Sequence, residues 1–151
     1  MKLREVLLEI TTACYKMNKD TSNMKVFWHE SDGFTIVLLD GCRMYRIPTE
    51  KLPFNFKGES DTRVLTAWNA MNNYNYFPAF DSRTAKDYSD RTIRIFDERI
   101  AVNEKFLKHF DKNCEVLITV DEKNRPIIVK DSDGICGFIC PIHPDAWKGI
   151  A

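Results

Sequence analysis

The chain has 151 residues, 44% of them hydrophobic, and its 22 basic and 22 acidic side chains cancel to a formal net charge of zero. That length suits one domain with a sizeable core, and the neutral balance excludes a bulk field drawing the protein to nucleic acid or an anionic membrane. No apolar run reaches the roughly 20 residues of a membrane span, the N-terminus lacks an apolar signal-peptide core, and the five cysteines are an odd number, so a cytoplasmic protein with free thiols is expected.

Leu3–Lys19 predicts an amphipathic helix: Leu3, Val6, Leu7, Ile10, Ala13, Cys14 and Met17 recur at helical spacing, opposite Glu5, Glu9, Thr12 and Lys16. A polar break at Asn18–Asn23 follows. Met24–Glu30, Phe34–Leu39 and Cys42–Ile47 then read as three strands, separated by turns at Ser31-Asp32-Gly33 and Asp40-Gly41 and closed by Pro48.

The segment Thr49–Glu98 reads as a long connection, and one this long inside a domain is usually functional or mobile. Lys51–Ser60 has loop composition. Thr62–Asn72 predicts a short helix with Val64, Leu65, Trp68 and Met71 on one face, Tyr74–Phe80 is aromatic around Pro78, Asp81–Arg91 is polar and expected to be exposed, and Thr92–Phe96 predicts a strand.

Ile100–Val102 reads as a strand leading into a helix over Asn103–Lys112, with Phe106, Leu107 and Phe110 on one face. Glu115–Ile142 then predicts a complete antiparallel meander. Val116, Ile118 and Val120 alternate with Leu117 and Thr119, Asp121–Arg125 turns, Ile127 and Val129 continue, and Asp131–Gly134 turns into Ile135–Cys140 before Pro141. The pattern of helix, three strands, Asp-Gly turn and closing Pro thus occurs twice, in 1–48 and in 99–151, as an internal duplication would give.

Ile100–Ile142 resembles the last part of a bacterial DNA polymerase sliding clamp, the beta subunit of the replicative polymerase, down to its apolar tail Phe138-Ile139-Cys140-Pro141-Ile142. Leu39-Asp40-Gly41-Cys42-Arg43-Met44 is similar to the family's Thr-Asp-Gly-His-Arg-Leu stretch. Leu39 and Cys42 stand where the family has Thr and His, His143 stands at the tail's basic position, and the chain has the length of only one clamp domain. The family's strand before the first helix has no counterpart in Met1-Lys2, and Thr49–Glu98 exceeds the family connection.

The resemblance implies an α+β fold, a single DNA-clamp-like domain over 1–151 of two βαβββ-type halves, with antiparallel sheets and two helices on one face. It implies a non-enzymatic accessory or scaffold of DNA replication or repair, in the manner of a processivity factor. Gly41, Cys42, Arg43 and Met44, with Phe138, Cys140, Pro141 and Ile142, match family positions that wall a pocket for short apolar peptides of replication and repair proteins. Lys2, Arg4, Lys16, Lys19, Lys105, Lys108 and Lys112 would face double-stranded DNA, with weak and salt-sensitive affinity from one subunit. Exposed sheet edges and the aromatic central segment favour a homo-oligomer.

Other chemistry is less well marked. Cys136, Cys140 and His143, with Cys114 or Cys42, could be drawn as a zinc site, but Cys136 and Cys140 lie four apart on a strand, ~13 Å along it, and read better as small hydrophobes. Asp131–Gly134 opens like a calcium loop whose closing Glu position is Ile142. No metal or cofactor is predicted. His29, His109 and His143 lack obvious catalytic partners, although a Cys42 or Cys140 pair with a distant His stays open. The alternatives to a DNA clamp are therefore an interaction module that kept the fold without DNA, and an enzyme using Thr49–Glu98 as its site.

Overall fold

The computed structural model describes residues 1–18, 26–52, 61–121 and 123–151, with backbone alone at 16–18. The predicted break at Asn18–Asn23 and loop at Lys51–Ser60 therefore fall largely outside the described residues, as do Met24 and Lys25. The protein is α+β with antiparallel sheets. It divides into two compact units, one of residues 2–73 and one of 74–151 joined by Met1, so the boundary falls inside the stretch 49–98.

The unit of residues 2–73 comprises helix α1 (Leu3–Asn18), strands β1 (Val26–Ser31), β2 (Phe34–Leu39) and β3 (Arg43–Pro48), and helix α2 (Thr62–Asn72). The strands form an antiparallel meander pairing Val26 with Leu39 and Leu39 with Arg43. Its turns demand positive φ at consecutive residues, supplied by Asp32-Gly33 (51° and 80°) and Asp40-Gly41 (57° and 67°); such turns match the strand twist and tolerate Asp and Gly best. Val6, Ile10 and Ala13 give α1 its buried stripe. Asp61 caps α2 by accepting from the Arg63 N–H at 2.9 Å, and Val64 and Trp68, one turn apart, are its buried residues. Both helices pack on β1, and α2 also on β2.

The unit of residues 74–151 holds β4 (Tyr76–Pro78), β5 (Ser82–Lys86), β6 (Thr92–Phe96), β7 (Ile100–Asn103), the single helical turn α3 (Glu104–Leu107), β8 (Glu115–Thr119), β9 (Ile127–Asp131) and β10 (Gly134–Ile139). Its strands run β10-β9-β8-β4 in one sheet and β5-β6-β7 in another. Ile93, Ile95, Ala101, Ile142 and Trp147 form a buried cluster that seats the C-terminal residues.

Two elements depart from expectation. The helix over 103–112 shrinks to α3: Asn103 caps it, its side-chain oxygen accepting from the Lys105 N–H at 3.0 Å. Beyond it, the N–H groups of His109 and Phe110 bond three residues back, to Phe106 and Leu107, a tighter winding that places both side chains in the interior. Second, the polar segment 81–91 is largely exposed, as expected, but it is not irregular. Its first part is β5, paired with β6 from Ser82–Phe96 to Lys86–Thr92, and Asp87 is buried. Backbone pairing, which every residue type can supply, made a strand that apolar patterning could not reveal.

Candidate anion-binding cleft

The residues expected to wall a peptide pocket lie in different settings. Gly41 is exposed at the positive-φ turn, Cys42, Cys140 and Pro141 are half-buried, and Arg43, Met44, Phe138 and Ile142 are buried. Met44 is 1% exposed and Phe138 1%, so both are core residues of their own units. Ile142 belongs to the Trp147 cluster, and its N–H donates to the Ala101 carbonyl at 2.8 Å. Arg43, 3% exposed, is committed within its unit: Nη1 pairs with Glu9 and lies 3.4 Å from the Tyr45 hydroxyl, while Nη2 reaches Asp40 at 3.3 Å. Burial pushes the Tyr45 hydroxyl well above the ordinary tyrosine range, against the pull of Arg43. Arg43 therefore ties α1 to β3.

Among the basic residues expected to face DNA, Lys2 and Arg4 are exposed at the start of α1, and Lys105, Lys108 and Lys112 are exposed around and beyond α3. The Lys16 side chain and Lys19 lie outside the described residues. Burial pushes the Cys136 thiol up to about 12, and its Sγ donates to the Val129 carbonyl at 3.3 Å, the behaviour of a small core residue. Among the described residues, no three or more His, Cys, Asp or Glu side chains converge as metal ligands would.

What the 74–151 unit does build is a polar cleft of about 300 Å³, at the lower end of small-molecule sites, lined by Arg99, Ile100, Ile118, Thr119, Asp121, Lys123 and Lys148. Four separate stretches contribute. Arg99 and Ile100 come from the β6–β7 hairpin, Ile118 and Thr119 from the end of β8, Asp121 and Lys123 from the loop after it, and Lys148 from the C-terminal turn.

Two of the three cations are held by a physical device. The turn that presents Arg99 closes with the Arg99 N–H bonded to the Phe96 carbonyl at 2.9 Å, and its central residues Asp97 and Glu98 both have positive φ, 52° and 54°. Left-handed conformation costs a non-glycine residue about 1–2 kcal/mol, and such strain persists only where the surroundings over-determine it. Here they do. Asp97 Oδ1 accepts from the N–H groups of Phe80 and Asp81 at 2.9 and 2.7 Å, and Glu98 pairs bidentately with Arg83 at 2.5 and 3.1 Å. The Arg99 guanidinium then donates from Nη2 to the carbonyls of Val120 and Asp121 at 3.2 and 2.8 Å. Lys148 Nζ donates to the Glu98 carbonyl at 3.3 Å and sits 4.6 Å from the Trp147 ring centroid.

Among the described residues, the one carboxylate in the lining is occupied. Asp121 Oδ2 accepts from Arg125 Nε at 2.8 Å, and Oδ1 accepts from the Thr119 hydroxyl at 3.1 Å and the Lys123 N–H at 3.2 Å. The Arg125 bond above all holds its carboxyl below the usual carboxylate range. Three cations thus share a cleft with a carboxylate already neutralised from outside it, an electrostatic bias toward an anion. Ile100 and Ile118, both buried, add the apolar part of the lining.

Sequence reading missed these residues. Asp121–Arg125 looked like an ordinary turn, and Arg99 and Lys148 carried no local pattern; the only available signal was Asp-Glu, rather than Asn-Gly or Asp-Gly, in a tight hairpin turn. No described helix is long and apolar enough to cross a membrane. No family model, curated protein or solved structure matches this chain.

Proposed function

We propose that the protein is a non-catalytic binding module whose cleft takes a small phosphate-bearing anion. The observation that carries this reading is the convergence of Arg99, Lys123 and Lys148 on one cleft where Asp121, the one lining carboxylate among the described residues, is held by Arg125. A polar lining suits a charged ligand better than the apolar anchors of a peptide. Charge-assisted hydrogen bonds to such an anion are about twice as strong as neutral ones, and their exposed part weakens with salt. Calorimetric titration with pyrophosphate at low and moderate ionic strength tests it. Binding that weakens with salt, and is lost in a Lys123→Ala/Lys148→Ala double variant that still folds, is expected. Absence of any pyrophosphate binding at millimolar concentration would remove the cleft from consideration.

A second reading, a clamp-like scaffold of DNA replication or repair, is favoured by the repetition of one pattern: α1 followed by the meander β1–β2–β3, and α3 followed by the meander β8–β9–β10. On this reading Lys2, Arg4, Lys105, Lys108 and Lys112 meet duplex phosphates, several copies assemble, and partner proteins dock through short apolar peptides. Duplex affinity should then fall steeply with salt, and light scattering should show an oligomer. A monomer indifferent to duplex DNA at low salt would leave only the anion-binding reading.

A further inference from the structure

We infer that the cleft takes a nucleoside phosphate, its phosphate among Arg99, Lys123 and Lys148 and its base on Phe80, an inference that rests on the anion-binding reading of the same cleft. Phe80 is 87% exposed. A single exposed aromatic is ordinary by itself, but this one has its backbone tied down and is joined to the cleft by a short chain of contacts. The Phe80 N–H is bonded to Asp97 Oδ1 at 2.9 Å, two residues before Arg99, so one turn anchors the backbone of Phe80 and carries the cation. The Phe80 ring centroid lies 6.0 Å from that of Phe77, and the Arg99 guanidinium lies 5.6 Å from the Phe77 centroid. Phe77 is also the cross-strand partner of Ile118, which lines the cleft.

The order is therefore exposed ring, second ring, guanidinium, cleft. A nucleotide carries a flat base and a phosphate on either side of one sugar, and the two ends ask for what this surface offers: an aromatic face and a group of cations. A ligand with phosphate alone leaves Phe80 without a use, and an apolar ligand leaves three cations without one. Base–aromatic stacking is largely indifferent to which base it receives, so base selectivity is expected to be weak. A free nucleotide and the phosphorylated end of a single strand share this chemistry.

The experiment compares pyrophosphate, ribose 5-phosphate, adenosine monophosphate and a 5′-phosphorylated thymidine decamer by calorimetry, on the full chain and on Phe80→Ala. The exposure of Phe80 makes that variant safe for folding. Adenosine monophosphate should bind about 5- to 100-fold more tightly than ribose 5-phosphate, as one stacked base contributes, and Phe80→Ala should close that gap. Tighter binding of the decamer than of the mononucleotide assigns the site to a strand end, and the reverse assigns it to free nucleotides; both support the inference. Equal binding of adenosine monophosphate and ribose 5-phosphate overturns the nucleotide assignment and leaves the anion cleft standing. No binding of pyrophosphate or of either sugar phosphate overturns both.

Discussion

Arg99 and Asp121 stand 22 residues apart, and the Arg99 Nη2 donates to the Asp121 carbonyl at 2.8 Å. A side chain from one sheet's hairpin thereby fixes the loop that leaves the other sheet. The bond gives the guanidinium a defined position before any ligand arrives, which reduces the ordering cost of binding. It also satisfies a loop carbonyl that regular structure leaves open.

Replacing Arg99 should therefore have two separable effects. Arg99→Lys keeps the charge but loses the planar fork that reaches two carbonyls, so pyrophosphate affinity should fall only a few-fold while amide exchange in 119–125 speeds up. Arg99→Ala loses both, and affinity should fall about tenfold or more, as expected for a hydrogen bond to a charged group worth about 1.5–3 kcal/mol. Exchange rates in 119–125 that match those of the unaltered protein in both variants would show that Arg99 does not hold the loop.

The two left-handed residues of the same turn should respond unequally to glycine. Asp97→Gly removes a Cβ from a strained residue, yet it gives up two bonds to the N–H groups of Phe80 and Asp81, both open to water, and should destabilise by about 0.5–1.5 kcal/mol. Glu98→Gly relieves strain and loses only a solvent-screened surface ion pair, so its effect should be smaller than that of Asp97→Gly. Urea unfolding ranks them; a larger loss in Glu98→Gly contradicts this account.

Asp87 makes stability depend on pH. Burial would raise its carboxyl, but the N–H groups of Arg91 and Ser89 and the Arg91 guanidinium outweigh it, leaving the carboxyl below the usual range. A depressed carboxyl stabilises above its unfolded value, about 3.9, and that stability is lost as pH falls through the lower folded value. Asp87→Asn should be less stable than the native chain at pH 7, and the difference should shrink below about pH 4. A constant difference down to pH 2.5 would show that the ionised carboxylate is not the source.

In the 2–73 unit, Glu9 matters more than its partial exposure suggests. Without it the buried Arg43 guanidinium keeps Asp40, at 3.3 Å, as its carboxylate partner, and a buried cation short of a partner is costly. Glu9→Ala should destabilise by about 2–4 kcal/mol, measured by thermal or urea unfolding. Arg43→Met, which replaces the charge by an apolar chain of similar reach, should cost less, because Glu9 and Asp40 are both partly exposed and can turn to water. Met44→Asp places a charge in the core and should unfold the unit; a folded Met44→Asp variant would show the site to be less closed than its 1% exposure indicates.

Periodicity was enough for the elements whose own side chains decide their state. Phe34–Leu39, Thr62–Asn72 and Thr92–Phe96 occupy the residues that their apolar patterns predict, and Asp32-Gly33 and Asp40-Gly41 turn where their tolerance of positive φ allows. Where neighbours decide, local pattern fails. Ser82–Lys86 is a strand because β6 offers its backbone a ladder, and the helix at 104 stops after one turn where His109 and Phe110 enter the interior.

The cleft belongs wholly to this second kind. Amino-acid sequence determined the charges of Arg99, Lys123 and Lys148 and the capacity of Asp121 to accept three donors, but those residues are spread over 50 positions with no common spacing. Only tertiary structure brought them to one place, because a side chain's electrostatic partners are set by distance through space, and distance along the chain carries no record of it. The same folding placed Arg43 beside Glu9 and turned a residue that resembles a binding-site arginine into a tie between α1 and β3.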